Sequence, residues 1–143
     1  MTLPVTDAPL EPLPEHAGVA DAPRGNWVDT WAPESWRPYL RLARADRPIG
    51  TWLLLFPCWW SLSLASVADG RPYASPWSML LFAVGAFVMR GAGCAYNDYI
   101  DRDYDARVAR TRSRPIPSGQ VSPGGALAFV ALLAGGHVLI EDL

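Results

Sequence analysis

The 143-residue sequence contains no lysine: all twelve basic residues are arginine. Arginine and lysine both serve on a solvated face, so this bias reads as codon usage as much as chemistry and carries no functional conclusion. Cysteine is scarce, with only Cys58 and Cys94, both inside apolar runs where a thiol behaves as a small hydrophobe. Two such residues without a partner motif make neither a disulfide framework nor a metal centre, and they are silent on redox compartment. The two histidines, His16 and His137, are assigned no role. The first 33 residues lack a basic start, an apolar core and a small-residue cleavage site, so they make a poor secretory signal, and their acidity argues against a transit peptide. No internal repeat is present, and no nucleic-acid partner is expected.

What is present falls into two populations. Residues 1–35 carry six acids against Arg24, and the remainder carries eleven arginines against eight acids, so the formal net charge of −2 describes neither part. Residues 1–34, acidic and spaced by Pro4, Pro9, Pro12, Pro14, Pro23 and Pro33, have too little apolar surface to offset the entropy of ordering and are expected to form a disordered tail. Ser35 is a candidate helix cap, with Pro38 in the first turn. Trp36, Tyr39, Leu40 and Ala43 fall at helical spacing beside a face of Arg37, Arg41 and Arg44, which predicts an interfacial helix over 35–47. A soluble amphipathic helix packed on a core is the alternative.

Residues 49–68 run twenty positions without a charge, enough at about 1.5 Å per residue to cross a hydrocarbon core of about 30 Å. The helix is expected to bend at Pro57. After a short loop, residues 76–96 form a second apolar run interrupted only by Arg90. A breaker cluster of Pro115, Pro117, Ser118, Gly119 and Pro123 leads to a third, shorter run over 124–140. Arginines precede the first span and fill 102–114, whereas only Arg71 lies between the first two spans. The positive-inside rule then places the N-terminus and the 97–119 segment in the cytoplasm. The fold expected is an all-α, multi-pass transmembrane helical bundle with about three spans.

Chemistry concentrates at Asn97, Asp98, Asp101 and Asp105. If the second span continues as a helix, spacings of three and four residues bring these side chains to one side, Asp101 and Asp105 one turn, or about 6 Å, apart. Three carboxylates and an amide oxygen are hard ligands suited to Mg²⁺ that keeps its waters and shares a substrate phosphate. The competing reading is a solvated charge ladder, Asp98 with Arg102 and Asp103 with Arg107. Arg110, Arg112 and Arg114 follow, and cation-binding acids beside anion-binding arginines suit a metal diphosphate. Arg90, inside a span, faces a polar cavity or pairs with a neighbouring acid. Arg47, at the mouth of the first span, suits a carboxylate bidentately or anchors the helix by snorkelling. Trp52, Trp59 and Trp60 have π-faces able to shield a cation, although packing and interfacial belting are commoner uses. For Tyr96, Tyr99 and Tyr104 a structural hydrogen bond is the default.

The pattern N-D-x-x-D-x-x-x-D, met by Asn97, Asp98, Asp101 and Asp105, resembles the first aspartate-rich motif of the UbiA superfamily of intramembrane prenyltransferases. The blocks R-A-D-R-P-I-G-T-W-L-L-L-F-P-C-W-W at 44–60 and D-A-R-V-A-R-T-R-S-R-P-I-P-S-G at 105–119 are similar to the branch that prenylates 4-hydroxybenzoate in ubiquinone biosynthesis. The haem O, menaquinone and chlorophyll relatives share the aspartate motif, so the branch rests on the first-span block. The resemblance implies the first part of a nine-helix fold in the cell inner membrane. It also implies a polyprenyl diphosphate bound through Mg²⁺, with Asn97, Asp98, Asp101 and Asp105 as metal ligands, the three aspartates as catalytic residues, and Arg110 and Arg114 on the diphosphate. The aromatic substrate, 4-hydroxybenzoate, is then expected at Arg47. Family members are about twice this length and carry a second aspartate motif. A chain with one motif is therefore expected to be a truncated product, incompetent alone, with a non-catalytic membrane fragment or half of a split enzyme as the alternative.

Overall fold

The computed structural model describes residues 19, 20, 22, 23 and 25–141, with side chains through 136. The expected disorder of residues 1–18, His16, and the His137 side chain lie outside the described residues. Six helices follow in order: α1 (Trp27–Thr30), α2 (Arg37–Leu42), α3 (Ile49–Ala68), α4 (Pro76–Ile100), α5 (Arg102–Asp105) and α6 (Pro123–Glu141). No strand occurs among the described residues.

The helices α3 and α4 are the two described elements long and apolar enough to cross a membrane. Only 11 % of the α3 window is buried within the protein. A soluble protein's core helix would hide most of such a surface, whereas Leu53, Phe56, Trp60, Leu64 and Val67 of α3 are exposed. The helix continues through Pro57. Its hydroxyl and thiol groups bond back to the preceding turn, Ser63 Oγ to the Trp59 carbonyl at 2.8 Å and Cys58 Sγ to the Leu54 carbonyl at 3.3 Å, which leaves few polar atoms for the lipid to meet. At its C-terminus the Arg71 and Gly70 amides donate to the Ser66 and Val67 carbonyls, with Gly70 at φ +72°. No atom lies within 4 Å of where a Gly70 Cβ would stand. Gly70→Ala is therefore expected to cost about 1 kcal/mol from backbone conformation alone, read by thermal unfolding in detergent.

Ser75 caps α4 through the Ser78 amide, with Pro76 in the first turn. Apart from Asp98 its buried residues are all small, Gly85, Ala86, Gly91, Ala92, Cys94 and Ala95. Small residues let neighbouring backbones approach closely. The central helix is accordingly α4, packed against α6 and α3. The indole of Trp59 donates to the Met79 carbonyl at 3.0 Å, and Gly50 abuts Arg90, which sets α3 and α4 antiparallel. With that register α4 continues about nine residues, roughly 14 Å, past the start of α3. Arg90 thus sits level with the mouth of the first span, not at mid-membrane. The third apolar helix, α6, matches the expected 124–140 run, and its described apolar stretch, Pro123–Gly136, is shorter than the other two.

Around the protruding end of α4 a core forms from Leu42, Ala95, Ile116, Val121 and Ala126, joined by Tyr99, Phe129 and Val130. Leu42 is fully buried there, a contribution of about 1.5–3 kcal/mol. Two sequence expectations are corrected in this region. The disordered tail does not reach residue 34. Residues 27–30 are helical, Asn26 caps them, and Val28, Ala32 and Ala45 form a second buried cluster. The interfacial helix is also shorter than 35–47: α2 starts after Trp36, without a Ser35 side-chain cap, and stops at Leu42. It stops because the Ala45 and Arg44 amides turn back onto the Leu40 and Arg41 carbonyls, with Arg44 at φ +54°. A non-glycine residue in that conformation costs about 1 kcal/mol or more and persists where its side chain is otherwise engaged.

Candidate active site

Asp98 lies two residues past the apolar run that ends at Tyr96, on the part of α4 that extends beyond α3, and it is 1 % exposed. A carboxylate so placed needs charged partners, and it has two. Arg44 Nη2 donates to Oδ1 at 2.9 Å and Arg114 Nη1 to the same oxygen at 3.2 Å. Burial pushes the Asp98 carboxyl above its ordinary range, while the two guanidinium groups pull it back down. The same Arg114 Nη1 reaches Asp105 Oδ2 at 2.8 Å. Arg114 therefore clamps the end of α4 to α5, and Arg44, in its left-handed conformation, closes the other side.

The four motif residues do not converge. Their convergence required the second span to continue as one helix, but α4 ends at Ile100 and α5 starts at Arg102. Asp98 and Asp105 turn inward to the arginines, whereas Asn97 and Asp101 pair with each other at the surface, the amide donating to Asp101 Oδ2 at 3.0 Å. The quartet is thus split into an inner, arginine-bound pair and an outer, solvent-facing pair. Among the described residues no group of three or more histidine, cysteine or acidic side chains is placed to hold a metal. The outer pair does fit one: an amide oxygen and a carboxylate one turn apart are hard donors, and Mg²⁺ commonly takes one or two protein ligands, completing its shell with waters and substrate phosphate.

The charge ladder does not form either. Arg102 turns to the C-terminus of α4, donating to the Tyr99 carbonyl at 2.8 Å and stacking over the Tyr99 ring at 4.7 Å, and it meets Asp103 only at 3.9 Å. Arg110, expected with Arg114 on the diphosphate, is exposed and makes no ion pair among the described residues. Arg47 is paired with Asp46, Nη2 to Oδ2 at 3.1 Å. Tyr96 and Tyr104 are exposed. Trp52, Phe56, Trp59 and Trp60 form a ladder of ring contacts along α3, the packing use of these aromatics.

A cavity of about 330 Å³ opens between α3 and α4, lined by Arg44, Leu54, Met89, Arg90, Cys94 and Asn97 among others. Along α4 its wall runs from Asn97 to Met89, about 12 Å, from polar to apolar. The Arg90 guanidinium rests over Gly50, where any Cβ would collide with it, and its buried Nε has no hydrogen-bond partner among the described residues. A cation held in a glycine seat beside an apolar wall is suited to an anionic group of a partly apolar molecule. Sequence reasoning did not single out Arg44 and Gly50. Both lie in the 44–60 block, and their roles depend on partners 54 and 40 residues away.

The UbiA prenyltransferase family profile matches residues 54–140. The chain is 47 % identical over 118 residues to the mitochondrial 4-hydroxybenzoate polyprenyltransferase of Arabidopsis thaliana, covering 81 % of this chain and 28 % of that protein. It is 54 % identical over 96 residues to the 4-hydroxybenzoate octaprenyltransferase of Aeromonas hydrophila, covering 67 % and 32 %. With 4-hydroxybenzoate geranyltransferase 1 of Lithospermum erythrorhizon it shares 44 % over 106 residues, covering 74 % and 33 %. The chain spans about a quarter to a third of the length of these relatives. No solved structure matches it. With its two long apolar helices, its aspartate motif and a profile match over most of its length, the chain belongs to the UbiA prenyltransferase family.

Proposed function

We propose that this chain forms part of a membrane enzyme transferring a polyprenyl group from its diphosphate to 4-hydroxybenzoate, as in ubiquinone biosynthesis. The observation that carries the reading is the cavity holding Arg90 and Arg44 against Leu54 and Met89, directly below Asn97. The relatives' names agree on the acceptor and differ on the donor, geranyl in one and octaprenyl or polyprenyl in others, so the acceptor is the better supported of the two substrates.

In this reading the carboxylate of 4-hydroxybenzoate pairs with Arg90, not with Arg47, whose guanidinium already meets Asp46. Asn97 and Asp101 would hold Mg²⁺, which when bound neutralises a diphosphate leaving group. Arg114 and Arg44 hold Asp98 and Asp105 in place and contribute positive charge on the side where the diphosphate departs. The C–O bond to the diphosphate breaks, the allylic carbon forms a bond to the ring beside the hydroxyl, and the ring loses a proton. Leu54, Met89 and the lipid-facing side of α3 give the prenyl chain an apolar path. The arginine distribution supports a reading in which this site faces the cytoplasm at a cell inner membrane.

The test is a membrane assay with a polyprenyl diphosphate and 4-hydroxybenzoate, run on this chain and on a version extended through the relatives' length. Mg²⁺-dependent product is expected from the extended form, and its absence there would refute the assignment; turnover by the short chain would refute its expected incompetence alone. In the extended form, Asp101→Ala is expected to raise the Mg²⁺ concentration for half-maximal rate at least tenfold. An unchanged Mg²⁺ profile would remove Asp101 from the metal site.

A further inference from the structure

We infer that the described residues between 19 and 32 act as a strap that positions the two arginine-bearing segments, 43–47 and 111–114, around Asp98. Its catalytic consequence rests on the site reading above; its structural content does not.

Three ties connect the strap to the site, and two of them end one residue from an arginine that holds Asp98. The Trp27 indole donates to the Ala45 carbonyl at 3.0 Å, next to Arg44. The Ala20 amide donates to Ser113 Oγ at 2.8 Å, next to Arg114, and Ser113 is 3 % exposed. The third tie runs from Asp29 to both Arg41 Nε, at 3.1 Å, and Nη2, at 2.7 Å, and from Arg41 Nη1 to Gln120 Oε1 at 3.1 Å. One carboxylate on α1 thus orients an arginine on α2 that reaches the loop before α6. Beneath these polar ties Val28, fully buried, packs with Ala32, Ala45 and Leu40, so the strap has its own apolar seat.

The segments so tied are short of regular structure. Residues 106–121 are a series of turns, held also by their own backbone hydrogen bonds, such as the Ser118 amide on the Arg114 carbonyl and the Val121 amide on the Pro115 carbonyl, by Thr111 Oγ1 on the Asp105 carbonyl, by the Arg114 ion pairs and by the burial of Ile116 and Val121. Segment 43–47 carries the strained Arg44 conformation. Loops of this kind have low local stability, and a few ties across them decide how well an arginine stays on its carboxylate. The cavity-lining residues named above include none from the strap, which makes its members positioning residues.

The experiment is hydrogen–deuterium exchange on the full 143-residue chain in detergent, comparing wild type with Asp29→Asn, Ser113→Ala and Asp29→Glu. Either of the first two variants is expected to speed exchange of the Arg114, Ser118 and Val121 amides about tenfold, the loss of one charge-assisted or buried hydrogen bond, while residues 80–92 of α4 stay unchanged. Asp29→Glu, which keeps the charge, is expected to restore most of the protection that Asp29→Asn loses. Faster exchange confined to residues 19–42 would overturn the strap. In the length-extended protein Asp29→Asn is expected to lower kcat for prenyl transfer several-fold while leaving KM for 4-hydroxybenzoate in place, and a shift in that KM alone would also overturn it. If exchange responds as stated but the wild-type extended protein makes no prenylated product, the strap stands and the proposed function fails.

Discussion

Alanine at Asp98 is expected to destabilise the protein by about 3–5 kcal/mol, the largest stability effect of any single substitution at the site. The loss is not the worth of two ion pairs. Arg44 and Arg114 are held in a largely enclosed position by the packing of their own segments, with side chains 19 % and 12 % exposed, and removing Asp98 leaves both charges without their shared acceptor. Arg114 keeps Asp105, so Arg44 bears more of the cost. Arg44 also sits at φ +54°, a conformation glycine adopts freely. Adding Arg44→Gly to Asp98→Ala is therefore expected to recover part of the loss, and the double-mutant cycle should show strong coupling. Denaturant unfolding in detergent, followed by tryptophan fluorescence, measures both. A loss below about 1 kcal/mol for Asp98→Ala would mean that the arginines find other partners at little cost.

Arg90→Ala, in the protein extended through its relatives' length, is expected to raise KM for 4-hydroxybenzoate by roughly tenfold to a hundredfold, the worth of a hydrogen-bonded charge pair. Gly50→Ala offers an independent route to the same result. Its Cβ would stand where the Arg90 guanidinium now lies, and the obstructed atoms are the far end of a flexible side chain, so the side chain moves while the helices stay. The two variants should then share a kinetic signature, with KM for the aromatic acid raised more than KM for the diphosphate donor. Arg47→Ala serves as the contrast, because Arg47 is paired with Asp46. A larger KM effect from Arg47→Ala than from Arg90→Ala would return the carboxylate to Arg47.

Much of the fold was legible in one dimension. The runs at 49–68 and 76–96 are uncharged or nearly so, and hydropathy over some twenty residues reports crossing ability without reference to any partner. The break between the first two spans was local too, as a short loop that the structure closes with Gly70 after α3 and Ser75 before α4. The tail boundary was misread for the opposite reason. Val28 and Ala32 offer little apolar surface, and they are buried only because Ala45 and Leu40, beyond the next proline, come to meet them. At the site, the i,i+4 spacing of Asn97 and Asp101 gave a real contact, whereas the similar spacing of Asp98 and Arg102 gave none. An arginine that can reach the α4 carbonyls, and an aspartate with stronger partners elsewhere, leave such a pair nothing to gain.

The amino-acid sequence by itself determined that the chain is helical, that two of its helices can span a membrane, and which short stretch carries its acids and arginines. Each of these follows from residue type and spacing along one helix. Only the tertiary structure decided how the acids divide. Asp98 and Asp105 turn inward because Arg44, from 54 residues upstream, and Arg114, from beyond α5, arrive to neutralise them, while Asn97 and Asp101 remain outside. Charge interactions act through space and not along the chain, so a carboxylate's role depends on which guanidinium the packing of α2, α4 and the 106–121 turns delivers to it.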